Sequence, residues 1–233
     1  MGAGWKNPLK EEKANKKGQV ISKIAREISV AAKLGGPDPE GNARLKLAII
    51  EARAVSCPRD TIERAIKKGA GLLEGEKAIE ELTYEGSGPY GVGVIVECQT
   101  DNKNRTVSEL RRIFTHHKGS LGETNSASWK FDRVSVVTGK KAAVGDPDEE
   151  AIEVNANSVE KNADGTYSFF GSPTDLDSMR TALIGRGWEV TGAERSYVAK
   201  NKTDLNQEQL KEIHELLQEI EDFDDTHRIH ATI

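Results

Sequence analysis

The sequence predicts an α+β protein. A basic three-helix domain comes first, and two small α+β domains follow, the second inserted in the first. Three observations lead there. Residues before about 78 show only helical spacing of apolar side chains. Leu82–Phe131 reads strand, strand, helix, strand. A helix at Asn206–Glu221 and a strand at Arg228–Thr232 then return to the same pattern, after an intervening stretch with elements of its own. The two α+β domains are expected to be ferredoxin-like, two-layer units. The expected boundaries are 1–78, 79–132 with 204–233, and 133–203.

The first 17 residues are polar and carry Lys6, Lys10, Lys13, Lys16 and Lys17. Such a composition does not hold a stable fold by itself. Trp5 among them either docks on the first helix or stacks on a nucleic-acid base. Gln19–Leu34 reads as a helix with Ile21, Ile24, Ile28 and Ala31 inward, which sets Lys23, Arg26 and Lys33 on the opposite face as a phosphate-tracking surface. Gly35-Gly36-Pro37 ends it. A second helix from about Asn42 to Ser56 buries Leu45, Ala48, Ile49 and Ala52. Pro58 opens a third as its first residue, and Gly69 stops it. Arg44, Arg59, Arg64, Lys67 and Lys68 decorate these two helices. No Asn/Gln/Arg cluster begins a recognition helix, which argues against base readout in the major groove. The GAGLLEGEK segment is a linker, and its lysine lacks the flanking glycine and Ser/Thr of a phosphate-binding loop.

Gly86–Gly91 formally matches G-x-G-x-x-G. It leads into a strand, Val92–Thr100, rather than a helix, so it is hairpin punctuation and not a nucleotide fingerprint. Asp101–Thr106 follows as a polar helix start, with Thr106-Val107-Ser108-Glu109 in capping-box form. Asn102, Lys103, Asn104 and Arg105 would present donors and positive charge there, a place that favours anions such as phosphate. Within 133–203, strands are expected at Ser135–Thr138, Thr166–Phe170 and Glu189–Val198. A short helical piece is expected near Glu149–Val154 and a helix from Ser172-Pro173 to Ile184.

These segments carry a family resemblance. YEGSGPYG, DNKNRT and GSLGETNSASWKF, together with GWK, KLGGPDPEGNARLKLAI and PRDTIERAIKKG in that order, resemble the signature segments of the YebC family. That family comprises bacterial probable transcriptional regulators and a mitochondrial translational activator of cytochrome c oxidase. The resemblance implies three domains around a cavity. It implies nucleic acid as the partner: DNA in the bacterial regulators, or RNA and the ribosome in the mitochondrial relatives. Two departures stand out. The opening keeps only Gly4-Trp5-Lys6 of the family's basic, histidine-containing start, and the segment after Asp146 is shorter.

Charge supports a polyanion partner. Residues 1–73 hold 15 Lys and Arg against 8 Asp and Glu, a net of +7, while the remainder, with 18 against 30, carries −12. Cys57 and Cys98 are far apart and argue for neither a disulfide nor a zinc site. His116 and His117, on consecutive helix positions, are expected to diverge, and no histidine set has metal-ligand spacing. No catalytic motif emerges. The expectation is a non-enzyme, without cofactor, metal or small-molecule substrate. It should also be cytosolic, away from membranes, and monomeric.

Overall fold

The computed structural model describes residues 8–233, with side chains from Lys16 onward. Two compact units result: residues 1–128 with 203–231 and 233 form one, and 129–202 with 232 the other. No described helix is long and apolar enough to cross a membrane.

In the first unit, α1 (Pro8–Gly35), α2 (Ala43–Ala54) and α3 (Arg59–Gly69) surround a core of Ile28, Ala31, Ala32, Leu45, Ala48, Ile49, Ala52, Ile62 and Ala65. α1 begins eleven residues before the expected Gln19. That stretch, PLKEEKANKKG, is rich in Lys and Glu, good helix formers that need no buried stripe. Apolar periodicity is blind to such a segment. Pro58 is the N-cap of α3 rather than its first residue. Asn42 caps α2 by accepting from the Leu45 N–H, and its amide donates to the carbonyls of Ala31 and Gly36. One buried side chain thus holds the end of α1 to the start of α2.

The sheet of this unit has strand order β3-β1-β2-β8 and is antiparallel throughout. It comprises β1 (Glu80–Ser87), β2 (Gly93–Thr100), β3 (Ser120–Leu121) and β8 (Thr226–Ala231). The glycine-rich turn between β1 and β2 is a hairpin, with Ser87 opposite Gly93. Tyr90 and Gly91 at its tip take positive φ, 62° and 77°. α4 (Lys103–His116) and α7 (Gln207–Asp222) lay Leu110, Ile113, Phe114, Ile213, Leu216 and Ile220 on Val92, Val94, Val96 and Cys98. The element order is β-β-α-β and then α-β, not the β-α-β-β-α-β of a ferredoxin-like unit.

Glu85 fastens the loop after β3. Its carboxylate, 8 % exposed, accepts the N–H groups of Asn125, Ala127 and Ser128 at 3.0, 2.8 and 2.7 Å. Burial pushes its pKa up, and these three donors outweigh that and hold it below the usual carboxylate range.

The second unit pairs strands in the order β5-β6-β4-β7, all antiparallel. Its elements are β4 (Phe131–Lys140), α5 (Pro147–Glu153), β5 (Ser158–Lys161), β6 (Tyr167–Gly171), α6 (Leu176–Gly185) and β7 (Glu189–Ala199). Val137, Ala151, Val154, Phe169, Met179, Leu183 and Trp188 form its core. β5 escapes sequence reading because Ser158-Val159-Glu160-Lys161 is short, polar and at a sheet edge. The cationic side chains of Lys141 and Arg186 and the Trp188 indole converge on the Glu150 carboxylate at 2.6, 2.8 and 3.3 Å. Arg186 and Lys141, opposed by burial, hold Glu150 at about 2. A folded pKa below the unfolded value near 4.5 gives stability that is present above pH 4.5 and is lost as pH falls toward 2. Glu150→Gln is therefore expected to lower stability at pH 7 by about 2 kcal/mol. It should also flatten the acid limb of a near-ultraviolet circular dichroism titration. An unchanged acid limb would assign acid sensitivity elsewhere.

Candidate nucleic-acid interface

The cations singled out in the sequence divide into three groups. Lys6, Lys10 and Lys13, with Trp5, lie outside the described side chains. Lys16 and Lys17 are exposed on α1.

A second group is turned inward on its own unit. Lys23 donates to the carbonyl of Glu221 and pairs with its carboxylate at 3.4 Å. Arg26 donates to the Asp224 carbonyl at 2.6 Å and lies 3.4 Å from Asp225. Lys33 donates to the Ile79 carbonyl at 3.1 Å. The face read as a phosphate track thus docks α1 against the end of α7, the turn before β8 and the approach to β1. Lys23 and Arg26 are only about one-fifth exposed. Arg44 is engaged likewise, at 2.7 and 3.0 Å from Glu27 and 2.6 Å from Glu81. Gln99 from β2 donates to the same Glu27 at 2.6 Å. Burial raises the Glu27 pKa, and the Arg44 and Gln99 hydrogen bonds with the Arg44 charge bring it down to about 2. A helical wheel drawn from Ile21, Ile24 and Ile28 sees one buried stripe, whereas α1 has a second, polar one.

The third group gathers around one opening. Arg64, Lys68, Glu76 and Lys77, from α3 and the segment after it, face Asp101, Asn102 and Arg105 at the start of α4 across a groove of about 360 Å³. Arg64 meets Glu76 at 2.6 Å, and Lys68 lies 3.4 Å from Glu76 and 3.7 Å from Asp101. Lys67 is exposed beside them on α3. Lys103 pairs with Glu80 at 2.7 Å, both about half exposed. Arg59, 89 % exposed, pairs with Glu63 on its own helix. Exposed pairs of this kind are weak, about 0–1 kcal/mol, and open readily to a competing anion.

The start of α4 differs from the expected capping box. Asn102 is the N-cap and accepts from the Arg105 N–H at 3.2 Å, while Asn104 is exposed in the first turn. Thr106, fully buried one turn in, donates to the Asn102 carbonyl and to Asp225. The Asn four positions earlier wins because its side chain reaches the first free N–H groups. No acid occupies the first turn of α4 itself; Asp101 just before it and Asp225 against Arg105 and Thr106 supply the negative charge at its positive end. Arg105 does not simply face outward. It grips Asp225, which is 1 % exposed, through Nε at 3.3 Å and Nη2 at 2.9 Å.

Two family descriptions match the chain: "TACO1/YebC protein N-terminal domain" over residues 6–72, and "TACO1/YebC second and third domain" over residues 79–233. The chain belongs to the YebC family. Among its relatives, a probable transcriptional regulatory protein of Bdellovibrio bacteriovorus is 60% identical over 233 residues and covers all of both chains. One of Pseudomonas syringae pv. tomato is 44% identical, over 99% of this chain and 98% of that one. The crystal structure of a conserved hypothetical protein from Aquifex aeolicus superposes with a TM-score of 0.81 at 38% identity, covering 93% of this chain and 90% of the other. In this YebC-family chain, sequence reasoning missed Lys77 and Glu76, dismissed as linker, and read Asp101 only as part of a polar helix start. Their part in the groove is a matter of fold, since 24 positions separate Lys77 from Asp101 in the chain.

It also misread His116 and His117. Both rings turn to one carboxylate oxygen, Oε2 of Glu219, with Nδ1 of His116 at 3.0 Å and Nε2 of His117 at 2.7 Å. They do not diverge, because His117 is the C-cap and leaves the helix at φ −97°, ψ 27°.

Proposed function

We propose that this chain is a nucleic-acid-binding regulator of gene expression that grips phosphates through the groove between α3 and the start of α4. The observation that carries the reading is the convergence there of Arg64, Lys68, Lys77, Asn102 and Arg105, from two segments far apart in sequence. The relatives named probable transcriptional regulatory proteins support a role in transcription on DNA. Binding is expected to follow charge rather than base identity, because the groove offers cations and a helix end to phosphate oxygens. In this reading residues 1–78 form a helical domain set against the first sheet. The β-α-β-β-α-β insert is a ferredoxin-like unit.

A second reading, RNA on the ribosome, draws support from α3. Ile62 and Ala65 are buried, and its exposed side chains, Arg59, Asp60, Glu63, Arg64 and Lys67, are all charged, with no Asn or Gln among them to read a base edge. A partner recognised by backbone and shape, such as folded RNA, suits that surface.

The test is fluorescence anisotropy of the full chain with random duplex DNA and with a structured RNA of equal length, alongside ribosome co-sedimentation. Replacing Arg64, Lys67 and Lys68 together by Glu should weaken binding at least about tenfold. It should also reduce the salt slope by about one for each phosphate no longer neutralised. Undiminished affinity would remove the groove from the function. Tighter binding to RNA with ribosome co-sedimentation selects the second reading.

A further inference from the structure

His116 and His117 end α4, and Glu219 lies on α7, so three donors from two helices meet at one point. The two imidazole nitrogens and the carboxylate oxygen all lie within 4.8 Å of one another. The rings sit edge to face with centroids 4.8 Å apart. Arg112 donates to the other oxygen, Oε1 of Glu219, at 2.9 Å, and is itself held by Glu109 at 2.7 Å. The carboxylate is therefore oriented from outside, with Oε2 turned to the histidines. Outer partners of this kind commonly fix a metal-binding carboxylate. The C-terminal end of α4 adds negative potential at the same place.

We propose that His116, His117 and Glu219 form a site for a divalent transition cation of the zinc class, with three protein donors and a fourth position open to water. Two neutral imidazoles and one carboxylate suit such a cation better than the all-oxygen shells of calcium or magnesium. Tetrahedral coordination at about 2.0–2.1 Å separates ligand atoms by about 3.3 Å. To admit the ion, the two His–Glu219 contacts of 3.0 and 2.7 Å must lengthen by about half an ångström, and the two imidazole nitrogens, which lie within 4.8 Å of each other, must settle at the same spacing. His116 is 65 % exposed, which gives it room to do so. The ion would replace the two hydrogen bonds and staple α4 to α7.

The experiment titrates the chelator-treated full chain with Zn2+ by calorimetry, and with Co2+ by visible absorption, which reports coordination geometry. One equivalent should bind. A Zn2+ excess of about a hundredfold over Kd should raise Tm by about 5 °C. His117→Ala and Glu219→Gln should each weaken binding at least about tenfold. Glu219→Gln preserves shape, and its fold is checked by circular dichroism. No saturable binding to the wild type would overturn the proposal. So would equal affinity in the folded Glu219→Gln variant, which would place the ion elsewhere.

Discussion

Arg105→Ala is expected to lower stability by about 2–4 kcal/mol. The sequence alone suggests a mild effect, since a charged residue at a helix start is usually exposed. The structure places its guanidinium on Asp225, whose side chain is 1 % exposed and also accepts from Thr100 at 3.2 Å and Thr106 at 2.9 Å. Truncation strands a buried carboxylate, a loss of about 3–5 kcal/mol when no other charge remains nearby. Arg26, 3.4 Å from the same carboxylate, recovers part of it. Urea melts should show a lower midpoint with an unchanged slope. Arg105→Ala with Asp225→Asn should be less than additive, because the second change removes the charge the first one strands. A midpoint shift worth under about 0.5 kcal/mol would return Arg105 to the class of free surface cations. Because Arg105 also lines the groove, its removal would lower activity by unfolding as well as by taking a cation from the phosphate site. The functional test therefore uses Arg64, Lys67 and Lys68.

Gly69→Ala should be comparably damaging, at about 3 kcal/mol, through packing rather than charge. A methyl group there would lie 2.1 Å from the Ser29 carbonyl oxygen and 2.9 Å from the Ala32 methyl. The obstacle is the backbone of α1, so α3 would have to move away. That would pull Ile62 and Ala65 from the core and stretch the 2.9 Å bond from the Ser29 hydroxyl to the Ala65 carbonyl. Overpacking of this kind costs about 1–3 kcal/mol, occasionally more. Gly18→Ala is the matched control. That glycine is inside α1 with nothing within 4 Å of the added methyl, so the change should stabilise by about 0.5–1 kcal/mol. Thermal melts of the two variants should move in opposite directions. A silent Gly69→Ala would mean that α1 and α3 tolerate a wider separation than this packing allows.

Gly69 shows what a sequence conveys and what it withholds. The end of α3 at Gly69 is legible, although the left-handed residue that turns the chain out is Gly71, at φ 71°; so are the β1–β2 hairpin and the apolar stripes of α1 and α2, because each follows from local spacing. The close approach of Gly69 to Ser29 is not legible, since it depends on where a helix 40 residues earlier comes to lie. The same distinction runs through the site. Lys23, Arg26 and Arg44 look like surface cations on a helical wheel. Their partners Glu221, Asp224, Asp225 and Glu81 arrive from later elements, and no periodicity announces them. Arg64, Lys68 and the Asn102–Arg105 segment are each recognisable as cationic or helix-capping chemistry. That they share one groove is a property of the fold.

The socket around Asp225 also has a place in time. α7, Asp225 and β8 follow the whole 129–202 unit in the chain, so they are synthesised after it. At about 5–20 residues per second, roughly ten seconds separate completion of β2 from delivery of its neighbour β8. During that interval the nascent first unit holds β1 against β2 with the other edge of β2 bare. Arg26, Arg105, Thr100 and Thr106 are without the carboxylate that joins them. The last elements act as a latch, and a ribosome paused within the insert would hold an unlatched, basic helical bundle with an open sheet edge, the state most exposed to misassembly.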